Sequence, residues 1–202
     1  MTSLEAALCQ ISSELSQARV PFALVGGLAV SVRTEPRFTR DADLAVALAG
    51  DAAAEALIHG LRARGYGIEA VVEQEAVGRL ATVRLTPSRD PTGPVVDLLF
   101  ASSGIEAEVV ADAEPIDLLQ QLRMGVARTG HLIALKVLSR DDVRRPQDIV
   151  DLRALLRVAS PTEILRARES LALIATRGYH RGRDLASEMD RLFPGPEGCS
   201  RT

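Results

Sequence analysis

The sequence predicts an α+β protein, in which a mixed sheet flanked by helices is followed by a helical C-terminal half. Three observations carry this. Up to about residue 104, apolar positions alternate between helical and strand spacing in the order α-β-α-β-α-β-β-β. Beyond it the pattern turns mostly helical. The composition, 47% hydrophobic and 25% charged over 202 residues with a net charge of −3, is that of one compact domain or two halves sharing a core. The expected division falls near residue 128, giving 1–128 as the α/β core and 129–202 as the helical half.

The elements follow in order. Thr2 and Glu5 form a capping box, after which Leu4, Leu8, Ile11 and Leu15 recur at helical spacing until Pro21. PFALV is a short apolar strand broken by Gly26-Gly27, and LAVSVR reads as a helix starting at that pair. TEPRFTR is polar and carries Pro36, so it is a loop. DADLAVAL is a strand with Asp41 and Asp43 on one face. Asp51 is expected to cap a helix lined by Ala54, Leu57, Ile58 and Leu61, stopped at Gly65. GIEAVV, GRLATVRL and VVDLLF are strands, the last two separated by the turn SRDPTG. IEAEVVADA reads as helix. EPIDLLQQLRMGVA is ambiguous and has room for short strands. HLIALKVL is a nearly all-apolar helix. Pro146 opens the next one, Ser160-Pro161-Thr162-Glu163 is a second capping box, and RDLASEMDRLF is the last helix before a Pro/Gly/Ser tail.

Several classes are excluded. No apolar run approaches the ~18 residues of a spanning helix. The N-terminus has acidic Glu5 and no basic run, so it does not read as a secretory signal. Cys9 and Cys199 form no metal-binding pair, and a reducing cytoplasm is the expected location. His59, His131 and His180 are isolated, with His131 expected to cap a helix start. No GxSxG elbow is present. Only six aromatics occur, too few for a broad base-stacking platform.

The chemistry concentrates in carboxylates. Asp41 and Asp43 project from the same strand face, either as a solvated strand end or as a close pair that repels unless a cation lies between them. A hard divalent cation such as Mg²⁺ resolves this. Asp97 interrupts the apolar run VVDLLF, a costly position unless the carboxylate is paired or metal-bound. If its strand neighbours DADLAVAL, it completes a set of three for two metal ions. Gly26-Gly27, ending a strand and opening a helix, allows close approach of a phosphate. Lys136 is the only lysine among 24 basic residues, and it lies in an apolar helix. It either snorkels to water or reaches an anion. Asp148 and Asp151 occupy or follow a first helical turn, where they complement the macrodipole and pair with Arg144 or Arg145, or else serve the site. Arg33, Arg37, Arg40 and the basic residues within 123–145 offer a field for a polyanion.

Strand-Gly-Gly-helix, then Asp-x-Asp, then apolar-Asp-apolar resembles the nucleotidyltransferase superfamily with the DNA polymerase β-like fold. That resemblance implies catalytic and metal roles for Asp41, Asp43 and Asp97, holding two Mg²⁺, and a triphosphate cradle at Gly26 and Gly27. The stretch Arg37, Thr39, Asp41, Asp43 and the later Lys136, Arg145, Asp148, Asp151 resemble the bacterial AbiEii/AbiGii-type branch, over roughly residues 20–157. Gln147 stands where that branch often has lysine. The resemblance implies nucleotide-binding roles for Arg37, Thr39, Lys136 and Asp148, with Lys136 also catalytic. It further implies an NTP substrate, a toxin of a type IV toxin–antitoxin or abortive-infection system, a cognate antitoxin and a tRNA 3′ end as acceptor. The alternatives are a transferase acting on an antibiotic-type small molecule and a non-catalytic nucleotide-binding regulator.

Overall fold

The structure is a computed structural model that describes residues 2–87, 93–119, 122–141 and 145–193. Helix α1 (Ser3–Gln17) opens on the expected capping box, with Thr2 Oγ1 accepting from the Glu5 amide and Glu5 returning a bond to the Thr2 amide. It is followed by β1 (Phe22–Val25), α2 (Gly26–Arg33), β2 (Ala42–Val46), α3 (Asp51–Ala63), β3 (Gly67–Gln74), β4 (Arg79–Thr86) and β5 (Val96–Leu99). Then come α4 (Glu106–Ala111), the hairpin β6 (Glu114–Leu119) and β7 (Leu122–Val126), and four helices: α5 (Thr129–Ser139), α6 (Pro146–Val158), α7 (Pro161–Thr176) and α8 (Leu185–Leu192). The ambiguous segment after residue 113 is thus an antiparallel hairpin. The turn SRDPTG up to Thr92 and the tail from residue 194 lie outside the described residues.

The seven strands form one mixed sheet in the order β3-β4-β5-β2-β1-β7-β6. β1 and β2 are antiparallel, whereas β2–β5 and β1–β7 are parallel. The central strands are apolar because both of their faces are covered: Ala23, Leu24, Leu44, Val46, Val96 and Leu98 are all buried. α1 and α4 pack on β2, and α2 packs on β1 and β2 and also on α5 and α6. Through α2 the helical half meets the sheet. Arg33 reinforces this junction, donating to the carbonyls of Val126 and Ala127 and pairing with Glu114. Beyond it, α5 is the hub, packed on α2, α6, α7 and α8. Arg183 donates to the carbonyls of Val137 and Leu138, two of those a helix C-terminus leaves unpaired.

Two capping expectations are corrected. The residue preceding α3 is Gly50, and Asp51 is already helical. The Asp51 carboxylate turns instead to the β4 hairpin arm, taking Arg79 Nε at 2.7 Å and the Leu80 amide at 3.1 Å. At α7, Ser160 caps as expected, but Glu163 Oε2 accepts from the Gly130 amide at 2.6 Å, tying α7 to the start of α5.

Candidate active site

The parallel pairing of β2 with β5 places Asp43 opposite Asp97. Asp41 precedes β2 by one residue and lies two positions from Asp43, on the same face. Antiparallel pairing of β4 with β5 then places Arg84 opposite Asp97. The Arg84 guanidinium is bidentate on that carboxylate, Nε to Oδ1 at 2.9 Å and Nη2 to Oδ2 at 2.7 Å. The same Nη2 lies 3.9 Å from Asp41 Oδ2. One cation therefore reaches two of the three carboxylates. Its hydrogen bond to Asp97 holds the Arg84 pKa above that of a free guanidinium.

Asp43 carries the strain of the arrangement. Its pKa is pushed up to about 6, first by burial and then by the charge of Asp97, with Lys136 opposing. The Gly27 backbone N–H donates to this carboxylate. Geometry requires a glycine at position 26, and at position 27 a side chain would displace the Arg37 guanidinium. Gly26 has φ +64°, and a Cβ there would lie 1.9 Å from Asp43 Oδ2. A Cβ on Gly27 would lie 2.6 Å from Arg37 Nη2. The glycines thus let the start of α2 close on the carboxylates, and one of the amides expected to face a phosphate serves Asp43.

A second charged cluster is linked to the first by Arg37, which pairs with Asp151 and stands beside Gly27. Lys136 neither snorkels nor stands free: it is 8% exposed, with Nζ 2.7 Å from Asp148 Oδ1 and 2.8 Å from Asp151 Oδ2. Ser139 Oγ donates to Asp148. Asp151 also accepts from Arg37 Nη2 at 2.7 Å and from Gln147 Nε2 at 3.0 Å. Burial raises the Asp151 pKa, but the hydrogen bonds from Arg37, Lys136 and Gln147 outweigh it and leave the carboxyl below its usual range. The expected pairing with Arg144 or Arg145 holds for Asp148, whose Oδ2 lies 3.5 Å from Arg145 Nε. It is corrected for Asp151, which pairs with Lys136 and Arg37 among the described residues, and Arg144 lies outside them. Gln147, in the place where lysine was expected, supplies a neutral donor.

Arg37 and Thr39 brace the approach to the site. Arg37 joins Asp151 to the carbonyl of Phe38, and Thr39 Oγ1 lies 3.5 Å from the Asp41 carbonyl. The expected basic field is largely internally paired: Arg33 and Arg128 with Glu114, Arg37 with Asp151, Lys136 with Asp148. His131 does not cap a helix start. It is buried in the first turn of α5, 3.8 Å from Asp112, with its pKa lowered by burial. Arg84 is the site residue that sequence reasoning missed. It follows the alternation of β4 on the part-exposed face and so carries no local signal, and its partner follows from a register the sequence does not print.

Among the described residues no three His, Cys, Asp or Glu side chains are closed to a ready-made ligand group. The donor chemistry nevertheless fits a hard divalent cation: Asp41, Asp43 and Asp97 are oxygen ligands on adjoining strands, and a guanidinium already stands between two of them. Among the described residues, no helix is long and apolar enough to cross a membrane.

Comparison with known proteins agrees with this geometry. No curated protein matches the sequence. Among solved structures, an antigenic nucleotidyltransferase-like protein from Paracoccidioides brasiliensis is similar at 18% identity and a TM-score of 0.52, covering 95% of this chain and 97% of its own. The ANT(2″)-Ia structure in complex with adenylyl-2″-tobramycin is similar at 16% identity and a TM-score of 0.55, covering 87% and 99%. These likenesses establish the nucleotidyltransferase fold. The family model for the nucleotidyl transferase AbiEii toxin of type IV toxin–antitoxin systems matches residues 8–197. The chain belongs to the AbiEii nucleotidyltransferase toxin family and is an enzyme of nucleotidyl transfer.

Proposed function

We propose that the protein is a Mg²⁺-dependent toxin that transfers NMP from an NTP to the 3′ end of tRNA, and that a cognate antitoxin counters it. The observation that carries the reading is the in-register pair Asp43–Asp97, with Asp41 beside it and Gly26-Gly27 closed on Asp43. Asp41, Asp43 and Asp97 would hold two Mg²⁺. Bound there, the ions supply charge neutralisation at the attacking and leaving oxygens of an in-line displacement.

The chain's own residues do the rest. The attacking hydroxyl forms its bond to the α-phosphorus while the bond to pyrophosphate breaks, and Asp97 accepts the hydroxyl proton. Lys136 has three N–H donors, of which two go to Asp148 and Asp151. Among the described residues no third group takes the remaining N–H, which would donate to a triphosphate oxygen while the two carboxylates fix the ammonium in place. Arg37 and Thr39, both beside Gly27, would contact the triphosphate there.

Label transfer from each of four α-³²P NTPs into total bacterial RNA, with Mg²⁺, tests the reading. Asp43→Ala and Lys136→Ala are the controls. The expected result is label in a tRNA-sized band, lost in both variants. Label on a small molecule and none in RNA would instead favour antibiotic-type chemistry, the chemistry of the ANT(2″)-Ia complex with adenylyl-2″-tobramycin. Mg²⁺–NTP binding without transfer to any acceptor would identify a non-catalytic regulator.

A further inference from the structure

The loop between α2 and β2 alternates in its contacts. Arg37, Thr39 and Asp41 are partly buried, whereas Phe38 and Arg40 are exposed. The inward residues are anchored. Arg37 reaches Asp151, and Arg37 and Thr39 both crowd Gly27 at the start of α2. Pinned on either side, Phe38 is turned outward and is 80% exposed, well above any other large hydrophobic side chain among the described residues. The Arg40 guanidinium lies 5.7 Å from its ring centroid. A phenyl ring left in water forfeits the gain of burial unless something covers it. In a chain with only four Phe, two Tyr and no Trp, this ring stands three residues from Asp41.

An aromatic face next to a guanidinium is the pair that recognises a nucleotide: the ring stacks on a base and the cation meets a phosphate or the second face of the base. Among the described residues the Arg40 guanidinium is the one group placed over the ring, and the anchored Arg37 and Thr39 hold it on the loop that leads into Asp41. We infer that Phe38, with Arg40, is a nucleobase-stacking subsite at the mouth of the active site, taking one base of either the incoming nucleotide or the acceptor strand. Phe38 is here a positioning residue for the transfer reaction, and the inference rests on the nucleotidyl-transfer reading of the adjoining carboxylates.

The absence of tryptophan supplies the test. Phe38→Trp introduces a single indole at this position. Its fluorescence is followed during titration with Mg²⁺–NTP, with a short single-stranded RNA oligonucleotide, and with Mg²⁺–tripolyphosphate, which has no base. Saturable quenching by the NTP or the oligonucleotide, but not by tripolyphosphate, is expected. Which of the two quenches identifies the source of the base. Phe38→Ala should weaken binding of that ligand about 5- to 150-fold, the size of one stacked base. Phe38→Tyr should restore it, and the melting temperature should be unchanged for so exposed a ring. Equal quenching by tripolyphosphate, or wild-type affinity in Phe38→Ala, would overturn the stacking subsite while leaving the carboxylate site standing. If wild-type protein binds neither NTP nor oligonucleotide by calorimetry, both readings fall together.

Discussion

Replacing Asp43 with asparagine should make the metal-free protein more stable at neutral pH, in a pH-dependent way. Burial and Asp97 raise the carboxyl from 3.8 to about 6 in the folded chain. The native state therefore holds this proton more tightly than the unfolded state does. The corresponding stability is fully present below about pH 4, is lost as pH rises toward 6, and is gone by about pH 7. A shift of this size at ~1.36 kcal/mol per pH unit corresponds to about 2–3 kcal/mol, allowing for the water that reaches a part-exposed group. Asparagine keeps the shape and an acceptor for the Gly27 amide but has no charge to desolvate. Urea unfolding of both proteins from pH 4 to 7.5, without divalent ions, reads the effect. The gap should move in favour of Asp43→Asn by about 2–3 kcal/mol between pH 4 and 7.5, and millimolar Mg²⁺ should stabilise the wild type selectively. A gap that stays constant with pH would refute the desolvated, cation-seeking Asp43.

Other consequences are equally direct. Arg84→Met removes the guanidinium from Asp97 and Asp41, and should tighten Mg²⁺ binding by about tenfold, measured by calorimetry. Arg79→Met removes a charge from the same strand away from the carboxylates and should not. Lys136→Met leaves Asp148 without its buried partner and should cost about 3 kcal/mol in urea unfolding, even though Arg37 still neutralises Asp151. Gly26→Ala combines φ +64° with a methyl driven into Asp43, so it should lose at least ~1–2 kcal/mol and label transfer together. Gly130→Ala places a Cβ 2.4 Å from the Glu163 carbonyl at the α5–α7 contact. It should cost ~1–3 kcal/mol in thermal unfolding while activity per folded molecule is kept.

Much of this was legible in the sequence because it is local. The capping box of α1, the Gly-Gly break after β1 and the Asp-x-Asp alternation on β2 are each written within a few residues. The pairing of Asp97 with Asp43 was readable as a cost: an aspartate in an apolar strand demands a partner, and β2–β5 pairing supplies it. What could not be read depends on choices between distant partners. Asp51 could cap α3 or bind Arg79, and the hairpin decided. Glu163 could close its own capping box or reach Gly130, and the α5–α7 contact decided. Lys136 could seek water or an anion, and the anions proved to be aspartates of α6. Arg84 required the register of β4 against β5, which no local pattern encodes.

The most direct test of the carboxylate site is a Mn²⁺ titration followed by electron paramagnetic resonance in the presence of a non-hydrolysable NTP. Asp43→Asn and Asp97→Asn serve as comparisons. The arrangement of Asp41, Asp43 and Asp97 predicts two ions bound per wild-type chain, with loss of at least one in each variant. A wild-type chain that binds no ion with the nucleotide, or variants that bind as many ions as the wild type, would contradict it.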